Sequence, residues 1–551
     1  MRSYTFIRIA LSKLLFLIGL TVLSVARAQV WGVVWQPPRD TLRALQEWQR
    51  LRHLGAMALR LDTPSPPAFL LRAADTLGIV VLVELPVADE PARQLLRRLP
   101  ALQKQLRTLL QQVAGHTSVR AIGLARLVDT ADPDACVYFE TLRAEVQRVR
   151  PDLQVYYETR FIEGDRCGTA VDFVLLDVRD VEDPLQPLQR WQQVHPTVTV
   201  GIGRLGTWVR ADTLRGLRRP HSPEWQARYL ERHLRQLRDV FSGFVFVYRW
   251  QDITRSHPAL YLDTPFVETY GLHNLQGERR PAFEVVRGFF TGAQTVFAFP
   301  AGRPSGTSGS GVVLIGWIPI VLLVLSYRFS LPFRLLGTRY FRAHGFYIEA
   351  VQYGRDLPAG ALGTLALAEG IALGVILTAM AQMLRESLVA TWLIGRLPSV
   401  VAQTVVESMQ TPALLLSVVA LSSLGGLGCW AGGLMLLSRW GHRVGFVQAW
   451  TLAHMPRWPL LGLMIGALSL LPDAEGDTGH RLLILWVLTE AWGLFRTVRD
   501  AGQVVEGPAW IYPVLALLHP SCWLLLAALG GLGWGLYTGH TIFLWHLLMV
   551  R

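Results

Sequence analysis

The chain is poor in cysteine, poor in charge for its length, and without an acidic residue in one critical window. Only four cysteines occur in 551 residues, too few for a fold built on disulfides. Cys136 and Cys167 fall in the more polar first half, where oxidation is open to them if that half is exported. Cys429 and Cys522 fall in apolar runs and read as packing residues. Charged residues make up 17 % of the chain against 51 % hydrophobic ones. That average hides a split: residues up to about 300 mix charge and apolar runs like a soluble α/β domain, and from about 311 onward long apolar runs dominate. No nucleic-acid motif accompanies the net charge of +12. Arginines beside apolar segments and on exposed helix faces account for the excess, so nucleic acid is not an expected partner. No metal site and no cofactor are expected either. Between Pro184 and Ala211 there is neither Asp nor Glu.

The first 28 residues carry Arg2, Arg8 and Lys13, then an apolar core, then Ala26 and Ala28. That order reads as an export signal cleaved after Ala28, with an uncleaved anchor helix as the alternative. Either places residues 29 to about 311 outside the cytoplasm. In this part, runs rich in Val and Ile alternate with amphipathic stretches. The runs are 30–35, 56–61, 79–85, 119–128, 153–159, 171–178, 197–203 and 243–250. In the stretch 222–239, Ser222 is an N-cap, Pro223 the first helical residue and Glu224 a first-turn acid. Eight strands alternating with helices over about 270 residues predict a TIM barrel, with an open doubly wound sheet as the alternative. A barrel places function at the C-terminal ends of its strands. Glu84, Glu158 and Asp177 fall there, and so do the pairing partners Arg60, Arg160 and Arg179 that would make them structural. Cys136 follows the fourth strand and Cys167 the fifth. Both loops belong to one barrel face, which makes the two a disulfide candidate.

Four blocks resemble the catalytic barrel of glycoside hydrolase family 2, the β-galactosidase and β-glucuronidase group. They are "GAMALRLDTPSPPAFLLRAADTLGIVVLVELP" (55–86), "HTSVRAIGLARL" (116–127), "PTVTVGIGR" (196–204) and "YGLHNLQGERRPAFEVVR" (270–287). The family is retaining: one glutamate protonates the leaving oxygen and a second attacks the anomeric carbon. Carried over without gaps, the acid position reads Leu127 and the nucleophile position Gly201, and neither side chain can do that chemistry. Asp129 lies two residues beyond Leu127 on the same strand face. It joins Glu84, Glu158 and Asp177 as a fallback carboxylate. The resemblance further implies ligand-binding roles for Arg60 and Trp250. Asp62, which replaces part of the family's second-strand motif, and the aromatics Trp35 and Tyr157 are further binding candidates.

Residues 300–311 form a Gly/Ser linker. After it, apolar runs at 312–327, 359–383, 411–437, 446–471, 481–496 and 508–530 predict six membrane spans, or seven if the interrupted run 532–549 counts. Arginine-rich stretches at 328–356, 438–443 and 495–500 read as cytoplasmic loops, and the acidic 472–477 as an outside one. Glu369, His454 and Glu490 each stand alone within apolar runs, which favours packing over a transport path. The expected organisation is therefore a signal (1–28), a barrel (29–299), a linker (300–311) and an all-α polytopic transmembrane domain (312–551). The setting is a bacterial inner membrane with the barrel on the periplasmic side.

The leading functional expectation is a membrane-tethered, catalytically inactive glycosidase-like barrel that binds a carbohydrate or glycan-like ligand. One alternative is an active hydrolase or transglycosylase with relocated carboxylates. Another is a transporter or envelope assembly factor whose barrel docks an unidentified membrane protein partner.

Overall fold

The computed structural model describes residues 29–303, 311–470 and 476–549. The expected signal, most of the linker and the stretch 471–475 lie outside the described residues. The described chain forms two compact units. One comprises 29–255, 262–303 and 535–549, and the other 256–261, 311–470 and 476–534.

Eight parallel strands close the first unit into a barrel in sequence order. They are β1 (Val30–Trp35), β2 (Ala58–Leu61), β3 (Val80–Glu84), β4 (Val119–Arg126), β5 (Gln154–Thr159), β6 (Phe173–Asp177), β7 (Thr199–Leu205) and β8 (Phe244–Val247). The helices are α1 (Thr41–Leu54), α2 (Ala68–Leu77), α3 (Ala92–Gln112), α4 (Asp134–Val149), α5 (Leu185–Val194), α6 (Pro223–Arg238) and α7 (Pro281–Thr291). The eight expected runs are these eight strands, which closes the choice against an open sheet. One expected alternation fails: between β5 and β6 there is only the 3₁₀ turn Gly168–Ala170. The intervening segment holds two glycines and five charges and lacks the apolar period a helix needs.

Local chemistry sets the helix ends. The Asp40 carboxylate accepts the Leu42 amide at 3.0 Å before α1. Gly55 ends α1 with φ +85°, a left-handed turn that a side chain disfavours. The Ser222 hydroxyl accepts the Trp225 amide at 3.1 Å, with Pro223 opening α6. Strand alternation then divides the barrel. Val33, Leu59, Leu61, Val81, Val83, Val155, Val174 and Ile202 face outward into the core shared with the helices. Each such buried side chain contributes about 1.5–3 kcal/mol. The other parity faces the interior.

The final helix, His540–Met549, belongs to this unit and not to the helical one. Phe543 lies 6.3 Å from Phe161, which follows β5. His540 bonds Gln94 at 2.9 Å, and His546 reaches Asp129 at 2.8 Å.

The second unit is helical. Among the described residues, three helices are long and apolar enough to cross a membrane: Ala359–Met383, Pro412–Trp440 and Pro520–Thr538. The pair Val313–Phe329 and Leu331–Arg342, bent by 103°, makes a fourth if counted as one. The other expected runs do not each coincide with one helix of that kind among the described residues. The run 446–471 breaks at the 3₁₀ turn Met455–Arg457 into Phe446–His454 and Pro459–Leu470, each too short alone. The run 481–496 lies inside a 30-residue helix, Gly476–Val505, that also carries Arg481, Arg496, Arg499 and Asp500. The spacing of Glu369, His454 and Glu490 also misleads. His454 meets Glu369 at 2.6 Å and Arg457 meets Glu490 at 2.8 Å, because residues far apart in sequence share one helix interface.

Candidate functional site

At the C-terminal ends of the strands, five carboxylates and five arginines alternate in a closed ring. Arg60 on β2 bonds Glu84 of β3 through Nε at 2.6 Å and also pairs with Glu158 of β5. Glu158 meets Arg204 of β7 at 3.0 Å, and Arg204 approaches Asp177 of β6 at 4.0 Å. Asp177 binds Arg179 at 2.8 Å, and Arg179 reaches Glu268 at 3.2 Å. Glu268 meets Arg249 at 3.3 Å, and Arg249 meets Asp62 at 3.4 Å. Asp62 bonds Arg126 at 2.7 Å, and Arg126 returns to Glu84 at 3.6 Å. Arg160 adds a contact to Asp177 at 3.0 Å, and Arg255 one to Glu268 at 3.4 Å. Seven guanidinium groups thus face five carboxylates.

The ring is almost dry. Arg60 and Glu158 are fully buried, and Arg126 and Asp62 are the most open of its ten members, with side chains 19 % and 17 % exposed. Burial opposes ionisation, but the arginines outweigh it. Arg160, Arg179 and Arg204 hold Asp177 well below the usual carboxylate range, and Arg126, Arg249 and Arg204 do the same for Asp62. Glu268, facing Arg255, Arg249 and Arg179, is lowered to about 2. A carboxyl that must donate a proton near neutrality needs the opposite shift.

The two family positions fall out of reach of this chemistry. Gly201 faces the interior two residues below Gly203 on β7. A Cβ there would lie 2.8 Å from the Leu175 side chain and 3.0 Å from the Phe244 carbonyl. Gly203 lies at the ring itself, where a Cβ would stand 2.8 Å from both Arg60 and Glu158. The bare backbone lets Arg60 bond the Gly203 carbonyl at 2.9 Å. Leu127 lies just past β4 with φ +51°, its amide bonded to the Glu158 carbonyl at 2.8 Å.

Of the expected site residues, Arg60, Asp62, Glu84, Glu158 and Asp177 come together in the ring. Asp129 does not: it is buried against His546, and burial pushes its carboxyl up. The aromatics also stay out. Trp35 donates its Nε1 to Glu47 of α1 at 2.9 Å and lies against Trp48. Tyr157 stacks on Phe139 of α4 at 4.5 Å and bonds Asp165 at 2.6 Å. The cause is parity, since Tyr156 and Glu158, flanking Tyr157, are the inward residues of β5. Tyr248 is an aromatic at the mouth, with Arg179, Arg204 and Arg249 over its ring at 5.1, 4.8 and 5.3 Å. Cys136, on the first turn of α4, and Cys167 face each other with sulfurs 2.07 Å apart and Cα atoms 4.8 Å apart.

Trp250 takes a different place. With His273, Gln251, Leu275 and the α1 residues Arg43, Glu47 and Arg50, it lines a cleft of about 430 Å³. Its indole is 2 % exposed, 4.3 Å from the His273 ring and 6.1 Å from Phe283 of α7. His273 Nδ1 lies 3.1 Å from the Trp250 carbonyl, so that nitrogen carries the proton. Nε2 is buried without a partner. Burial lowers the ring's pKa to about 4, so it is neutral near pH 7 and Nε2 is an acceptor. Arg43 bonds Glu47 at 3.2 Å, which leaves Arg50 as the excess charge of the cleft. No sequence signal marked His273 or Arg50; only the fold joins α1 to the segment after β8.

No protein-family model matches the sequence, and no curated protein matches it. Solved structures do. The GH2 β-galacturonidase from Eisenbergiella tayi bound to galacturonate is 14 % identical, covering 49 % of this chain and 52 % of that one with a TM-score of 0.43. The FMN-binding β-glucuronidase from Facaelibacterium prausnitzii L2-6 is 17 % identical, covering 50 % and 46 % at 0.43. The β-D-glucuronidase of Dictyoglomus thermophilum is 14 % identical, covering 49 % and 51 % at 0.43. The chain spans about half the length of each.

Proposed function

We propose that this protein is a membrane-tethered, glycosidase-like barrel that binds an acidic saccharide without hydrolysing it. The observation that carries the reading is the closed ring. Glycoside hydrolysis needs one carboxyl that can give a proton and one carboxylate free to attack or to activate water. Here Asp62, Glu84, Glu158, Asp177 and Glu268 are all held by arginines. An open concave feature lies between α1 and the segment after β8, in the cleft of Trp250 and His273. Its buried acceptor suits a ligand hydroxyl, and Arg50 suits a carboxylate or sulfate. The excess of guanidinium groups at the mouth favours the same sign of ligand.

Tethering is supported by three helices apolar enough to cross a membrane, whose outer faces carry exposed residues such as Leu421, Val418 and Leu529. The arginine-rich stretches beside the apolar runs and the N-terminal signal pattern support a multi-pass protein with the barrel on the extracytoplasmic side.

The test uses the full chain in detergent. Turnover of aryl β-glucuronide and β-galactoside is measured beside calorimetric binding of glucuronic acid and of glucose. The expected result is no turnover above buffer, binding of the uronate, and loss of that binding in Arg50→Ala and His273→Phe. Hydrolysis abolished by Asp129→Asn would instead favour a relocated acid, the reading that the raised pKa of Asp129 supports. Equal binding of glucose and glucuronic acid would remove the acidic preference.

A further inference from the structure

The helical unit buries ionisable groups that packing alone does not need. Glu369, in the apolar helix Ala359–Met383, is 2 % exposed, and His454 is fully buried. His454 Nδ1 lies 2.6 Å from Glu369 Oε2. The far atoms of the same two groups, Glu369 Oε1 and His454 Nε2, are buried and have no partner. Arg457 and Glu490, paired at 2.8 Å, act electrostatically on the Glu369 carboxylate. Beside them His519, fully buried, also has its Nε2 unpartnered. An orphaned buried polar atom is costly, so four in this cluster, Arg457 Nε included, call for water or exchangeable protons. Four other helices packed on Ala359–Met383 offer nothing that replaces them. Pro412–Leu437 and Pro459–Leu470 contain no Asp, Glu, Lys, Arg or His. The single acid of Ser399–Gln410, Glu407, bonds Gln403 on its own helix, and Gly311–Phe329 has only Arg328 at its end.

We propose that Glu369 and His454 form a hydrated proton-binding site inside the membrane-spanning part of the protein. This rests on the reading of that unit as membrane-embedded. In the proton-poor form, neutral His454 donates its Nδ1–H to the Glu369 carboxylate, and the pair carries one negative charge. Hydronium delivers a proton to the lone pair of Nε2, a water is left, and the pair becomes an imidazolium–carboxylate of zero net charge. Release reverses the step. The atom that takes the proton is the one the fold leaves without a partner. Arg457 opposes uptake and Glu490 favours it, so their mutual pairing tunes the site without filling it. Ionisable groups that are costly within a bilayer mark proton or ion pathways when they meet in this way.

Nitrogen-15 histidine spectra of the full chain in lipid nanodiscs test this, with His454 assigned by its loss in His454→Asn. The expected result is that the His454 signals pass from one protonated nitrogen to two as pH falls. In Glu369→Gln the midpoint should drop by about 1 pH unit or more. Glu490→Gln should move it in the same direction by less, which keeps the test open if the first variant does not fold. A His454 that stays in one protonation state while exposed histidines titrate overturns the proposal, as does a midpoint indifferent to both glutamate variants. A chain that never inserts into lipid would instead bring down the membrane reading on which the site rests.

Discussion

Glu158 is fully buried between Arg60 and Arg204, and Arg60 is itself fully buried. Removing one member of such a pair leaves an uncompensated charge without water and costs about 3–5 kcal/mol. Glu158→Ala should therefore lower the barrel's melting temperature by roughly 10 °C. Tryptophan fluorescence of the full chain in detergent would show it, and a melt unchanged within error would mean the ring is hydrated and weak. The same geometry bears on restoring catalysis. Leu127→Glu with Gly201→Glu rebuilds the family's pattern in sequence. Position 201, however, faces Leu175 and Phe244 below the mouth, where a Cβ already meets a side-chain carbon at 2.8 Å. The double variant should show no turnover of aryl glycosides and should be less stable by about 1–3 kcal/mol. Measurable hydrolysis would contradict the placement of Gly201.

Titration adds a residue-scale expectation with a definite sign. The carboxyl of Glu268 is lowered to about 2 from its ordinary 4.5, and Asp62 and Asp177 are lowered as well. A lowered acid contributes stability that is complete above its unfolded pKa and is lost as pH falls toward the folded one. His273, lowered from 6.5 to about 4, stabilises above 6.5 and loses that contribution between 6.5 and 4. All four act in one direction, so barrel stability should decline in two stages on the acid side: first below about 6.5, then more steeply below about 4. Thermal melts across pH would show both, and His273→Phe should weaken the first stage, to which His221 and His233, also lowered by burial, contribute as well. Stability that rises on acidification in that window would rule out the buried neutral histidine.

At the scale of elements, the strands were legible because a buried parallel sheet needs near-continuous Val and Ile runs, and eight such runs are present. Arg60, Glu84, Glu158 and Asp177 were legible as mouth residues because a barrel fixes which strand ends matter. Their pairing was only half legible: Arg60, Arg160 and Arg179 are neighbours in sequence reasoning, but Arg126, Arg204, Arg249 and Glu268 join from strands and a loop whose register no local signal gives. Parity defeated Trp35 and Tyr157, since one residue of register moves a side chain from the lumen to the helix layer. Helix bounds depart from the apolar runs where Pro456, Pro459 and Pro520 interrupt stretches that read as continuous in sequence. The β5–β6 link, lacking a helix, shows where another element matters. Cys136 and Cys167 join α4 to the 3₁₀ turn across a separation of 31 residues. Closing a loop of that length contributes about 3–4 kcal/mol by restricting the unfolded chain. Reduction, or Cys136→Ser with Cys167→Ser, should lower barrel stability by about that much, and an unchanged melt would show the link to be dispensable.

At the scale of the whole molecule, the two units differ in how they place their apolar residues. The barrel hides them between sheet and helices. The helical unit shows many on its surface, and of its long apolar helices Ala359–Met383 has 61 % of its most apolar window buried, whereas Pro412–Trp440 has 17 %. Ala359–Met383 is thus the inner helix, and Pro412–Trp440 shows its surroundings a face that only lipid or protein can cover. The cysteines turn this contrast into a measurement. Cys429 is exposed on Pro412–Trp440 and Cys522 lies on Pro520–Thr538, while Cys136 and Cys167 belong to the barrel. If the helical unit is embedded and the barrel exported, a membrane-impermeant maleimide applied to intact membranes should label none of the four. Mild reduction should make the half-buried Cys136 reactive, Cys167 being fully buried, without exposing Cys429, which should become reactive only after detergent extraction. Labelling of Cys429 before detergent would place its helix in water and end the membrane reading. Barrel cysteines that stay unlabelled even after reduction, and react only once the membrane is opened, would place the barrel on the cytoplasmic side.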